Sequence, residues 1–576
     1  MRSLTRIIYL LLLTCPLFVS AQSEQGNYTA ISLKDLSAFG QTGSNWSVKG
    51  GVTIHPDNAS SVKTQSGSGV LVGTPGSPLT TQVKAQDLQL RLEFMLSPGA
   101  EGYVHLPGGQ RVRLADSRQQ PTPNAQSSGF ISQFPAQNAA KAPGLWQTLE
   151  LAYDASVPTQ AGSALLNNLA LNGVTVQQSV YLPLSKSIAE PQALGLEVTK
   201  GTIAFRNIGY QLLGDRKPLA LQNMSYKLYN DSWNNPKPVK VVREEKTNTL
   251  TQEIGTGMRE FHAIYEGEMN VEESGIYIFT VAYTGPILTL DIDGKQVIAP
   301  GESTSQDLHS GSIQLNKGAH KFRLHYSRFP WRPAALGLRV ETAGVRPYDL
   351  HPLSSLPVPA PKPYMGVAAE GRPEMIRSFV QLEDEKYKRT HCVSVGSPAG
   401  WHYTMDLNRG ALLQAWRGQF ANVTEMWYER GEPQLLFTAG LTVPVSGKSS
   451  IAILKKDNTA WPDSADINFL GYRLDAQGFP MMRYAAGSAT VNDYLVPGTD
   501  GLVRTINVDG TPNGGTLYTL AGAGKQIEMV EKGLYKIDNH YYVRLDKRSK
   551  AVLRTSGGQQ ELLLPVNGST SYTMFW

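Results

Sequence analysis

Leu88-Gln89-Leu90-Arg91-Leu92-Glu93-Phe94-Met95-Leu96 is the stretch that decides the fold. Its apolar residues fall on every second position, with Gln89, Arg91, Glu93 and Met95 between them, which is the two-residue period of a strand with one face in a core. Similar runs occupy Ser274–Ala282, Ile287–Asp291, His320–Tyr326, Leu502–Val508 and His540–Leu545. Turn chemistry separates them: Pro107-Gly108-Gly109, Asp293-Gly294, Asn316-Lys317-Gly318 and Asp509-Gly510. Helical periodicity is hard to find anywhere. Many short strands with Gly-rich turns predict an all-β chain of tandem, jelly-roll-like β-sandwich modules.

Outward from that strand, two seams divide the 576 residues. Gly214-Asp215-Arg216-Lys217-Pro218 is a turn after a strand-like segment ending at Tyr210. Pro352 to Pro363 carries five prolines among small residues, the composition of a semi-rigid extended linker. Three blocks follow, 22–213, 216–346 and 365–576. The first residues have a different character. Arg2 and Arg6 precede the apolar run Ile7 to Leu13, and Val19-Ser20-Ala21 is a small-residue cleavage signal. Residues 1–21 therefore predict a secretory signal peptide, and the product is expected in the periplasm, outside the cell or on the surface of a bacterium. No other stretch is apolar enough to span a membrane.

Composition limits the chemistry. Removing Arg2 and Arg6 lowers the net charge from +5 to about +3, and no basic block exists, so nucleic acid is not an expected partner. Cleavage also removes Cys15 and leaves Cys392 alone, which permits no internal disulfide, CxxC metal site or haem attachment. His391 and Cys392 are adjacent on a strand and point to opposite faces, which argues against a catalytic dyad.

In the first block, Ile31-Ser32-Leu33-Lys34-Asp35-Leu36-Ser37-Ala38-Phe39 precedes Trp46-Ser47-Val48-Lys49-Gly50-Gly51. Gly109 to Ser117, Pro143-Gly144-Leu145-Trp146, Leu171-Asn172-Gly173-Val174 and Ala204 to Tyr210 follow in order. This series resembles the 3-keto-disaccharide hydrolase family, a concanavalin-like jelly roll. The resemblance implies cleavage next to a keto-sugar, which needs a base for the proton alpha to the carbonyl and an acid for the leaving oxygen. Glu93, His105 and Asp116 are the candidates, with Arg111 and Arg113 as oxyanion partners. Glu93 can instead pair with Arg91 on the same face, and His105 can be an ordinary strand histidine. The family's "LQDHG" pattern is replaced by Gly195-Leu196-Glu197-Val198-Thr199, so ligand binding without catalysis stands beside the enzyme reading.

The second block carries Tyr226 to Trp233, Tyr265 to Phe279, Leu290 to Val297 and Leu315 to Leu324. It resembles the protective-antigen-type domain, a β-sandwich of secreted glycosidases and adhesins. Sugar-binding members hold calcium through an Asp-Asp pair, but Tyr283-Thr284-Gly285-Pro286 stands there, so calcium is disfavoured and no other cofactor is expected. Tyr326, Phe329 and Trp331 form an aromatic group suited to sugar C–H faces. The third block gathers Trp401, His402, Trp416, Arg417, Trp427, Tyr428, Glu429 and Arg430, which can make a sugar platform or a tryptophan core with Arg417 and Glu429 paired. Its Ser394 to Pro433 run resembles a module found beside sugar-dehydrogenase or cytochrome c domains in secreted bacterial proteins. The expected function is carbohydrate binding with hydrolysis or elimination at 3-keto-glycosides. The alternative is a non-catalytic scaffold or partner subunit of an envelope sugar-dehydrogenase/cytochrome c system.

Overall fold

Strands account for nearly all of the regular secondary structure in the computed structural model, which describes residues 28–576 except 41–42, 156–161, 185–187, 189, 300, 304–305, 359–362, 384, 429–433, 463–464 and 547–548. The expected all-β class is observed. The signal peptide expected at 1–21 lies outside the described residues, and no described helix is long and apolar enough to cross a membrane.

Leu88–Leu96 alternates as its sequence requires, with Leu88, Leu90, Leu92 and Phe94 turned into the core. It sits near the middle of an eight-stranded antiparallel sheet, between Gln147–Asp154 and Ile203–Leu212. A four-stranded sheet covers it, in the order Leu79–Ala85, Gln192–Lys200, Glu101–His105, Arg111–Ala115. Val104, Val112, Leu114, Leu196 and Val198 line the buried side of that smaller sheet, which leaves the alternate residues on its outer face. Met95 departs from the expected pattern: it is on the outer side of the large sheet yet fully buried, packed with Ile54, Val70, Val72, Trp146 and Ala204.

The second block is a sandwich with its own core. Its six-stranded sheet runs Val241–Thr247, Leu219–Tyr229, Phe261–Val271, Gly318–Arg328, Leu288–Ile292, Lys295–Ile298, and a four-stranded sheet faces it. Tyr265, Phe279, Leu290, Tyr326 and Leu338 are among its fully buried side chains. Asp293 and Gly294 both take positive φ, 50° and 75°, so the Asp-Gly pair makes the hairpin turn its sequence predicts.

The third block contains six-, four- and eight-stranded sheets, and its C-terminal strand Ser569–Phe575 pairs with Leu502–Asp509 and Tyr541–Leu545 inside the largest. A single contiguous cluster of buried apolar side chains runs from the first block into the third, while the second block contributes none of it. The polar joints are equally intimate. Asn539 accepts from Trp146 N at 2.6 Å and donates to Trp146 O at 2.9 Å, and the Tyr542 hydroxyl donates to Pro143 O at 3.0 Å. Gly144, at φ 78°, is wedged there: a Cβ would stand 2.2 Å from Ile54 O and 2.5 Å from the Tyr542 hydroxyl.

The second block meets the first through charge instead. Arg346 reaches Asp154 at 3.0 Å, Asp87 at 3.1 Å and Asp215 at 3.2 Å. On the other side, the proline-rich stretch begins pinned to the second block, since the buried Ser355 hydroxyl donates to Leu336 O and accepts from Gln252 N.

Candidate functional site

Period-two geometry brings Glu101, Tyr103 and His105 onto the outer face of the small sheet, with Arg111 and Arg113 on the neighbouring strand and Glu197 on the strand opposite. His105 Nε2 lies 2.8 Å from Glu197 Oε2, and Arg111 approaches the same oxygen at 3.8 Å. A carboxylate can only accept, so the proton of that contact is on Nε2 and Nδ1 is the basic nitrogen. Arg113 pairs with Glu101 at 2.7 Å. Both guanidinium groups stack over the Tyr103 ring, at 4.7 Å for Arg111 and 5.1 Å for Arg113. Burial and the hydrogen bond to Glu101 push the Tyr103 phenol above its ordinary value, so it stays a donor. Gly195 lies directly across from His105, where a Cβ would crowd the histidine Cβ at 3.1 Å.

Three of the expected residues, His105, Arg111 and Arg113, thus share one open face. Glu93 and Asp116 are elsewhere. Glu93 is on the large sheet, where Arg206 holds Oε2 at 2.7 Å and Asn207 holds Oε1 at 2.6 Å, while Arg206 stacks on Trp146. Its pairing with Arg91 does not form, because Arg91 turns toward Glu150. Asp116 follows the last strand of the small sheet and accepts from Gly99 N at 2.9 Å, beside a cavity of about 520 Å³ bordered by Asp57, Arg118 and Pro143. Glu197 was the residue missed. Its segment reads as a loss of the family's "DHG" acid, yet the same strand returns a carboxylate to the histidine. The signal available was a lone acid alternating with Leu196 and Val198.

The aromatic residues expected to bind ligand separate into core and surface. Tyr326 is completely buried, its hydroxyl donating to Thr284 O, and has no open face to offer. Phe329 is buried as well, but Trp331 is 58% exposed and packs against both Phe329 and Trp233. Asp293, in the hairpin turn, accepts from His320 and from the Lys321 amide.

In the third block Trp401 and Trp416 follow the core alternative, not the platform. Trp416 is fully buried, with its indole N–H bonded to Phe420 O, and Trp401 packs edge-on against the buried Trp576. His402 accepts from Ser397 N and donates to Gly418 O, and burial pushes its pKa down to about 4, so the ring is neutral scaffolding. Arg417 donates to the carbonyls of Arg118 and Gln120 in the first block, which makes it a junction residue. Its expected partner Glu429, with Arg430, lies outside the described residues. Among the described residues of that group, Trp427 is exposed. Cys392 is buried, and its thiol is pushed up to about 12, chiefly by burial.

Residues 29–210 match the family model of the 3-keto-alpha-glucoside-1,2-lyase-like domain. Comparison with curated proteins gives no match. Among solved structures, a candidate glycosyl hydrolase from Parabacteroides distasonis is 17% identical over 33% of this chain and 100% of its own, with a TM-score of 0.24. A second from the same organism is 15% identical over 30% of this chain and 89% of its own, at 0.19. A β-glucosidase from Kluyveromyces marxianus in complex with glucose is 16% identical over 21% of this chain and 15% of its own, at 0.17.

Proposed function

We propose that the first block acts on carbohydrate, taking a 3-keto-glycoside on the face formed by Tyr103, His105, Arg111, Arg113 and Glu197, in a protein exported by a bacterium. The observation that carries this is the 2.8 Å His105–Glu197 contact beside Arg111, inside the block that matches the lyase-like family. A 1,2-elimination removes the proton at C2, which the C3 carbonyl makes acidic, forms the C1–C2 double bond and breaks the C1–O bond. His105 Nδ1 is the base for the C2 proton, and Glu197 holds the opposite N–H and stabilises the imidazolium. Arg111 faces the developing enolate oxygen, and the imidazolium returns its proton to the departing C1 oxygen.

Binding without turnover is the second reading, favoured by the openness of the face and by Arg113 being committed to Glu101. Purified protein assayed against a panel of 3-keto-glucosides and glycans, with binding and turnover measured together, separates the two. His105→Ala and Glu197→Gln should each lower turnover by about 100-fold or more if the elimination reading holds. Unchanged turnover in both variants sinks it, and ligand binding with no turnover in the wild-type protein establishes the second reading.

A further inference from the structure

The end of the second block's large sheet presents three aromatic rings that its core does not need. The loop after Leu219–Tyr229 supplies Trp233, and the segment after Gly318–Arg328 supplies Phe329 and Trp331. Phe329 is buried and stacks against Trp331 with ring centroids 5.1 Å apart and planes 29° apart. Trp233 meets Trp331 edge-on, at 5.1 Å and 80°, and leans on Phe329 at 5.5 Å. The Trp331 ring is therefore supported from beneath and from one side, while 58% of the residue remains in solvent.

The loop that carries Trp233 is fastened at several points. Asp231 accepts from Val239 N and Lys240 N, closing the loop at its base. Glu260 accepts from Trp233 N at 2.9 Å. His262 Nε2 donates to Ser232 O at 2.8 Å, which leaves Nδ1 to accept from His325 Nε2 at 3.1 Å. Such a loop loses little freedom when a ligand arrives, so the ring is presented in advance.

We propose that Trp331, braced by Phe329 and Trp233, is a stacking platform for a neutral polysaccharide of equatorially linked hexopyranoses, of the β-1,4-glucan kind. The axial C–H groups of such sugars make flat apolar faces that match a single open indole face, and the exposed Asn234 and Arg332 beside it can reach ring hydroxyls. No metal is required of this site, since every contact it offers comes from ring faces and side-chain donors. The choice of a sugar rests on reading the first block as carbohydrate-acting; the platform itself is separate from the His105–Glu197 face.

The test uses the full chain with cellohexaose and hydroxyethyl cellulose, and soluble starch as the α-linked comparator, by titration calorimetry and affinity electrophoresis. Wild-type protein should bind the β-linked probes in preference to starch. Trp331→Ala should weaken that binding about tenfold or more, while Trp331→Phe keeps most of it. Turnover of a soluble 3-keto-disaccharide by Trp331→Ala should equal that of the wild type, and His105→Ala should leave polymer binding intact. The failure of one site is thereby distinguishable from the failure of the other. Wild-type protein that ignores both β-linked probes overturns the proposal, as does Trp331→Ala with undiminished binding. A self-associating wild-type chain that becomes monomeric in Trp331→Ala also overturns it, and assigns the face to a second copy of this chain.

Discussion

The junction between the first and second blocks and the junction between the first and third, which bypasses the second, are built from opposite materials. The first and third blocks, far apart in sequence, share one apolar core and a set of side-chain-to-backbone hydrogen bonds at Pro143 and Trp146. The first and second blocks are consecutive, yet meet through a half-exposed arginine among three aspartates. Proximity along the chain therefore does not set cohesion here. Apolar burial should make the first and third blocks one cooperative unit, and the charged contact should leave the second able to unfold by itself.

Four experiments can break or sharpen that contrast. The largest effect belongs to Arg504, which is buried with Asp493 at 2.6 Å in the third block. Arg504→Ala strands a buried carboxylate and should cost about 3–5 kcal/mol. Hydrogen exchange should then accelerate in Leu88–Leu96 as well as in Leu502–Asp509, with Phe261–Val271 unaffected. Exchange confined to the third block would show that the shared core does not couple the two. Next is Gly144→Ala, where positive φ and contact with Ile54 O should cost about 2–3 kcal/mol and lower the same joint transition in a thermal scan.

Acid should act on the second block through its paired histidines. Burial holds both below the usual 6.5, His325 at about 4, with the neighbouring His262 adding to its depression. The unfolded chain binds those protons first, so their contribution is complete above pH 6.5 and is lost as pH falls from 6.5 toward 4. The second block's melting temperature should fall across that window, and His325→Gln should flatten the dependence there. His402 gives the third block a loss of the same sign, so the variant separates the two. The smallest effect is Arg346→Ala, about 1–2 kcal/mol, since the arginine is half-exposed while its partners Asp87 and Asp154 are mostly buried, with the second block's own transition unmoved in a denaturant titration.

Local signals carried most of the strands. The alternation in Leu88–Leu96 and the Asp293-Gly294 turn were readable because they depend on neighbours one or two positions away. The burial of Met95 was not, since what covers the outside of that sheet includes Trp146 and the far side of another hairpin. The site shows the same division. Alternation could have grouped Tyr103 and His105, and Arg111 with Arg113, on a single face. Which strand then lies beside them, and so the partnership of Glu197 with His105, is a matter of sheet order that no local pattern states. For Trp401, His402 and Trp416 the sequence left platform and packed core both open, because aromatic and polar residues compose the two alike.

The bonds from Trp146 to Asn539 and from Pro143 to Tyr542 join residues 393 and 399 positions apart. Translated into time, that span is roughly 20–80 s of ribosomal synthesis. Throughout that interval the nascent first block can complete its own ladders while its Gly144–Trp146 rim waits uncovered, and the intervening block, with a private core, folds in the meantime. The growing chain thus carries an uncovered seam until most of the third block has been made.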